Sequence, residues 1–107
     1  MTRIVWAGVA ADDFREIVEH LQSESPAAAL RFVDQIDQTV NRLGSHPKIG
    51  RIVPELRKQN ITRYRELIIP PWRVFHRSEP DTIYIVSLID GRRNVEEILL
   101  GRLLRRS

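Results

Sequence analysis

The architecture of this chain follows from the stretch Tyr64-Arg65-Glu66-Leu67-Ile68-Ile69-Pro70-Pro71-Trp72-Arg73-Val74-Phe75-His76-Arg77. Its β-branched and aromatic residues predict two strands, at about 63–69 and 72–78, joined by a tight turn at the two prolines. A third strand is expected at 82–89. Apolar residues occupy both of its alternating positions, so it should lie inside the sheet with both faces covered. Because the connections are short, the three strands should form an antiparallel meander.

Two helices are predicted before the meander. Asp12 and Asp13 are expected to open the first, because carboxylates are favoured at the positive end of a helix dipole. Ser25 followed by Pro26 predicts the N-cap and first position of the second helix, which should end at Gly44. Both segments carry an apolar stripe at helical spacing, so the two helices should pack as an antiparallel hairpin.

The remaining segments complete the order β-α-α-β-β-β-α. Residues 3–6 predict a first strand, the segment 46–61 is expected to be irregular, and Asn94 with Glu97 predicts the capped start of a final helix. This order indicates one α+β domain over residues 1–107. It comprises an N-terminal strand, a helical hairpin, a three-stranded antiparallel meander and a C-terminal helix. The hairpin should cover one sheet face, and the last helix an edge or part of the other face.

Composition and charge narrow the class of protein. The 107 residues carry a net charge of +3 and no cysteine, which excludes disulfides and thiolate metal sites. No apolar run is long enough for a transmembrane helix, and no segment resembles a secretory signal, so a cytoplasmic location is expected. Acidic residues dominate the region 12–37 and basic residues dominate from Lys48 onward. A basic second half predicts an anion-binding face.

The candidate target- or anion-binding residues are arginines of the meander and of the turn that follows it. They are Arg65, Arg73, Arg77, Arg92 and Arg93. Arg73 and Arg77 are four residues apart and share a strand face, and Arg65 is expected to approach them across the hairpin on an open face of the sheet. A guanidinium is always charged and its planar fork suits phosphates and carboxylates. The alternative is that these arginines form a solvated outer face, paired with Glu66, Glu79 and Asp90.

The histidines offer little further chemistry. His20, His46 and His76 are scattered without the spacing of a metal pair, so neither a metal site nor a cofactor is expected. His76 lies on a strand between an aromatic residue and an arginine. It is either a general base or a partly buried structural residue.

Four motifs in this order resemble the RelE/ParE superfamily, the toxins of type II toxin–antitoxin modules. They are His46-Pro47-x-x-Gly50-Arg51, Tyr64-Arg65-x-Leu67, Trp72-Arg73-Val74-Phe75-His76-Arg77 and Ile89-Asp90-Gly91-Arg92-Arg93-Asn94. The resemblance implies a growth-inhibiting toxin held in a complex by a cognate antitoxin. The antitoxin is expected to lay an acidic, amphipathic segment along the helical hairpin and the basic sheet.

The superfamily has two main activities. RelE-like members cleave mRNA on the ribosome without a metal, and the resemblance would then assign Arg65, Arg73, Arg93 and His76 as catalytic candidates. ParE-like members inhibit DNA gyrase. Leu67 stands where a nuclease would offer a second lysine, and the last helix has no tyrosine or histidine. These departures favour gyrase as the target, with mRNA cleavage and a non-toxic protein-interaction module as alternatives.

Overall fold

The computed structural model describes residues 2–105 of the chain. Its elements are β1 (Arg3–Trp6), α1 (Gly8–Glu24), α2 (Pro26–Ser45), β2 (Arg51–Ile52), α3 (Pro54–Arg57), β3 (Tyr64–Ile69), β4 (Trp72–Ser78), β5 (Thr82–Asp90) and α4 (Val95–Leu104). The predicted α+β architecture is confirmed. The segment 46–61, expected to be irregular, contains β2 and α3, which are too short to leave a periodic pattern.

The helical hairpin forms as predicted, with one correction at its start. Ser25 separates the two helices, and its side chain accepts a hydrogen bond from the Ala28 amide at 3.2 Å, as an N-cap does. However, α1 begins at Gly8, so the expectation that Asp12 and Asp13 open the helix is wrong. The preceding turn contains Ala10 and Ala11, whose high helix propensity lets the helix start directly after β1.

The five strands form one sheet in the order β1-β5-β4-β3-β2. β1 runs parallel to β5, and the other neighbouring pairs are antiparallel. A bulge interrupts the pairing of β4 with β5, because Phe75 pairs with Ser87 while His76 pairs with Ile85. Val86 is therefore an extra residue on β5. The bulge places Leu88 on the same face as Ile85, which strict alternation along the strand would not predict.

Each face of the sheet has its own apolar core. The hairpin core lies under α1 and α2, and its buried members are Ala10, Ile17, Phe32, Ile36, Leu43, Ile69, Val74, Ile83, Ile85 and Leu88. The α4 core lies on the opposite face, and its buried members are Val53, Leu56, Tyr64, Phe75, Ile89, Val95 and Leu99. The last helix thus covers the second face rather than an edge. Both faces of the meander are covered, so its arginines do not lie on an open surface of the sheet.

Within residues 2–105, no helix combines the length and the apolar character needed to cross a bilayer.

Candidate functional site on the arginine-bearing sheet

The meander arginines lie on opposite faces of the sheet. β3 and β4 pair so that Arg65 is opposite His76, while Arg73 is opposite Ile68. Since side chains alternate along a strand, Arg65 shares the hairpin face with His76, and Arg73 lies on the α4 face. The expectation that Arg65 approaches Arg73 and Arg77 across the hairpin is therefore wrong.

Arg73 is buried in an ion-pair network. It is 9% exposed, and its guanidinium forks onto two carboxylates. Its Nε and Nη2 donate to Glu66 at 2.6 and 2.8 Å, and its Nη1 and Nη2 donate to Glu55 at 2.8 and 2.7 Å. Hydrogen bonds from Arg73 hold the pKa of Glu55 below its usual value. The expectation that Arg73 lies on an open face is wrong, since the α4 face is covered and its charge is already balanced.

Short local elements build this network. α3 begins with Pro54 at its first turn and places Glu55 over the sheet, while Glu66 projects from β3 with only 1% of its surface exposed. Arg51 of β2 also donates to Glu66, at 2.9 Å from the solvent side. Gly91 packs directly against the Arg73 side chain, because a Cβ at position 91 would lie 3.1 Å from Cδ of Arg73. The turn after β5 is thus seated on the Arg73 side chain.

The other candidate arginines are paired separately. Arg77 forms an ion pair with Glu79 and lies 4.4 Å from the centroid of the Tyr84 ring. Arg92 is exposed and donates from Nε and Nη2 to Asp90 at 2.9 and 2.6 Å. Hydrogen bonds from Arg92 lower the pKa of Asp90 to about 2. The alternative pairing of the arginines with Glu66, Glu79 and Asp90 is what the structure contains, although for Arg73 it is buried rather than solvated.

Arg93 is exposed at the same turn and contributes to a shallow surface depression with Asp13, Glu16 and Trp72. The four catalytic candidates for RNA cleavage therefore do not converge. Arg73 is enclosed on one face, Arg65 and His76 lie on the other, and Arg93 follows the far end of β5. The described residues also contain no group of three or more histidines and carboxylates placed to hold a metal ion.

A second, partly buried ion pair, which the sequence interpretation missed, connects α1 to α4. Arg102 donates to both carboxylate oxygens of Asp13, at 2.7 and 3.0 Å, and to the Ser87 hydroxyl at 3.0 Å. Asp13 also accepts the Leu88 amide at 3.0 Å. The pairing of β1 with β5 ends at Ile85, so Asp13 takes the place of a strand partner beyond that point. No spacing in the sequence connects Asp13 with Arg102, because the two residues meet only through the fold.

His76 is fully buried, and neither ring nitrogen has a hydrogen-bond partner within the described residues. Burial lowers the pKa of His76 to about 4, and the positive charge of Arg65 acts in the same direction. The backbone of Ile49 acts in the opposite direction but makes no hydrogen bond of normal geometry with the ring. The ring is thus neutral at pH 7.

This burial predicts a loss of stability in acid. The pKa of His76 is about 4 when folded against 6.5 in its ordinary environment, so the unfolded chain takes up the proton first as the pH falls. His76 should therefore stabilise the fold fully above pH 6.5 and lose this contribution between pH 6.5 and pH 4. Two to three pKa units correspond to about 3 kcal/mol of unfolding free energy. Urea unfolding across this pH range, in chloride buffers, measures the loss.

His76→Gln should flatten the pH dependence, and His46→Gln, at an exposed histidine, should leave it unchanged. An unaltered slope in the His76 variant would assign the acid sensitivity to other groups.

Comparison with known proteins gives the same fold and a family. The chain is 28% identical over 82 residues to Toxin ParE3 of Caulobacter vibrioides, an alignment that covers 77% of this chain and 75% of that protein. A solved chain of the chromosomal ParDE TA system from P. aeruginosa superposes with a TM-score of 0.67 at 23% identity, covering 84% of this chain and 96% of that one. The second likeness supports the architecture of helical hairpin, sheet and last helix. A family model described as the ParE toxin of the type II toxin-antitoxin system, parDE, matches residues 4–95, and on this match the chain belongs to the ParE toxin family.

Proposed function

We propose that this protein is a growth-inhibiting toxin of the cytoplasm that acts on DNA gyrase and is neutralised by a cognate antitoxin. Membership of the ParE family supports the toxin–antitoxin part. The observation that carries the choice of gyrase over mRNA is the separation of Arg65, Arg73, Arg93 and His76. Metal-free RNA cleavage needs a group that takes the 2′-hydroxyl proton beside groups that hold the phosphate, and these residues cannot meet at one phosphate.

Acid–base chemistry supports the same choice. Arginine does not give up its proton at neutral pH, so His76 would have to move protons for a nuclease. Its ring is 0% exposed and lies on the face opposite Arg73. An inhibitory binding protein needs none of this chemistry, only a surface that its target recognises.

Two arginines of the predicted site, Arg92 and Arg93, are exposed where a target could reach them, and Arg92 is held in place by Asp90. Arg92 and Arg93 belong to the turn whose Gly91 packs against Arg73, so the buried Arg73 side chain supports this turn. Arg73 supports that turn from below and is not itself available. We therefore place target contact at this turn.

The antitoxin should bind through exposed apolar side chains and basic residues. Leu30 on α2 is 72% exposed and Leu104 on α4 is 81% exposed. Exposed apolar side chains of this size are suitable anchors for an amphipathic segment. The sheet faces are both covered by helices, so the antitoxin segment has to lie over the helices and sheet edges instead of the sheet surface.

The test combines growth and purified components. Expression of the chain alone should arrest growth, and co-expression of the adjacent antitoxin gene should restore it. The purified protein should inhibit gyrase supercoiling, and primer extension on translating ribosomes should show no codon-specific cuts. Arg93→Gln should weaken the inhibition about tenfold, the loss expected for one charge-assisted contact.

Arg31→Gln, at an exposed arginine of α2, removes the same charge away from the turn and should inhibit like the wild type. Codon-specific cuts would replace gyrase with mRNA as the target. Normal growth while folded protein accumulates would favour the non-toxic interaction module.

A further inference from the structure

A small pocket opens on the hairpin face, at the end of the sheet where β3 begins and β4 ends. It encloses about 220 Å³. We call it the cationic pocket, and its lining residues are Lys48, Thr62, Arg63, Arg65, His76 and Ser78. It is separate from the turn that carries Arg92 and Arg93.

The fold assembles this pocket from two strands and a loop. Arg65 and His76 are direct cross-strand partners, and Ser78 lies on the same face two residues beyond His76. The loop after α2 is fastened at both ends, because Ser78 donates to the Pro47 carbonyl at 2.7 Å and Arg65 donates to the Gly50 carbonyl at 3.0 Å. Lys48 lies between these two anchor points, so the loop holds its cation at the pocket.

The cations of this pocket differ from the arginines of β2 and β4. In the part of the chain that the structure describes, neither Lys48, Arg63 nor Arg65 forms an ion pair with a carboxylate. By contrast, carboxylates pair with Arg51, Arg73, Arg77, Arg92 and Arg102. Three positive side chains around one cavity repel each other unless an anion lies between them. The arginine charge that carboxylates balance on β2 and β4 is left unbalanced at this pocket.

The buried histidine supplies the second observation. His76 forms part of the pocket wall, and both its ring nitrogens lack a partner among residues 2–105. Buried polar groups are almost always hydrogen-bonded, so an unpaired ring in the wall of a cavity is unusual. Because the ring is 0% exposed, an oxyanion in the cavity acts on it through its charge and not through a direct hydrogen bond in this conformation.

We propose that the cationic pocket binds one phosphate-sized oxyanion, supplied as inorganic phosphate or as the terminal phosphate of a mononucleotide. The cavity has room for one such group. A phosphate dianion neutralises more of the charge of three cations than a singly charged carboxylate would. The fork of Arg65 suits two oxygens of a phosphate, and Lys48 adds a point charge. This site goes beyond the proposed action on gyrase, which stands or falls independently of it.

Nuclear magnetic resonance of the full chain provides the test, with sodium phosphate as the probe and sodium chloride at equal ionic strength as the control. Phosphate should produce saturable shifts at His76 and Ser78. It should also raise the pKa of His76, because a nearby anion favours the charged ring. The charged groups that line this pocket with His76 are the cations Lys48, Arg63 and Arg65, and none of the carboxylates in the described part of the chain lines it.

Variants distinguish a specific phosphate site from nonspecific attraction of phosphate to a basic protein. Lys48→Gln and Arg63→Gln alter exposed side chains and should each weaken phosphate binding about tenfold, the loss of one charge-assisted contact. Arg31→Gln should leave binding unchanged. Shifts equal to those in chloride, or equal phosphate affinity in the Lys48 and Arg31 variants, would overturn the proposal.

A nucleoside monophosphate distinguishes the two sources. Tighter binding than inorganic phosphate supports a mononucleotide, and equal binding supports the free ion. A glutamate-rich peptide that binds at the pocket without competition from phosphate would overturn the proposal in favour of a protein partner.

Discussion

Glu66→Ala should destabilise the fold by about 3–5 kcal/mol, the cost of leaving one partner of a buried ion pair without the other. Arg73 is 9% exposed and cannot be hydrated without opening the α4 core. Glu55 would still hold one side of the guanidinium, but the Nε group would lose its acceptor. Urea unfolding at pH 7 measures the effect.

Arg51→Ala is the matched control, because Arg51 binds the same carboxylate from an exposed position, with 58% of its side chain accessible. It should cost less than about 1 kcal/mol. Replacing the pair together, as Glu66→Leu with Arg73→Met, should recover much of the lost stability, since apolar side chains of similar volume can replace a buried ion pair. A Glu66→Ala protein as stable as the Arg51 variant would mean that water reaches the guanidinium.

Asp13→Ala should destabilise the fold to a comparable extent, because it removes the ion pair between α1 and α4. It leaves Arg102 without its carboxylate and the Leu88 amide without its acceptor, so we expect a loss of about 3 kcal/mol or more. Hydrogen exchange gives a local readout, because the Leu88 amide should lose protection more than the amides of β4.

Asp12→Ala is the control for that experiment. Asp12 is the neighbouring residue and, within the described residues 2–105, pairs only with exposed Arg15, so its removal should change stability by no more than about 0.5 kcal/mol. Equal stability of the two variants would show that Asp13 carries no more than a surface carboxylate does.

The sequence was sufficient for the elements whose signals are local. The Ser25-Pro26 boundary, the alternation in β3 and β4, and the Asn94 cap of α4 all follow from the chemistry of adjacent residues. The start of α1 does not follow from local signals, because Asp13 resembles a residue at a helix terminus but serves as a partner for distant groups. Its role depends on Leu88 and Arg102, which no local pattern identifies.

The distribution of the arginines over the two sheet faces departs most from the prediction, although part of it follows from the register of the hairpin. With the turn at the two prolines, Ile69 lies opposite Trp72, and counting outward pairs Arg65 with His76. That register already places Arg65 and Arg73 on opposite faces. The burial of Arg73 was beyond such counting, since it depends on Glu55 arriving from α3 and on a helix covering the second face. The unpaired cations of the pocket likewise cannot be recognised from the sequence, because this requires the position of every carboxylate in the folded protein.

The parallel pairing of β1 with β5 also sets the order in which the molecule can form. Arg3 lies opposite Thr82 and Trp6 lies opposite Ile85, so β1 is synthesised long before β5, its hydrogen-bonding partner. Contacts of such long sequence separation slow folding, because the entropy of closing the intervening loop is lost before the contacts repay it. The helical hairpin can form early from its own residues, but the sheet edge that carries β1 has to wait for β5. During synthesis, the apolar side of the hairpin therefore stays uncovered until the strands of the meander have been made, and the toxin cannot complete its sheet before β5 has been synthesised.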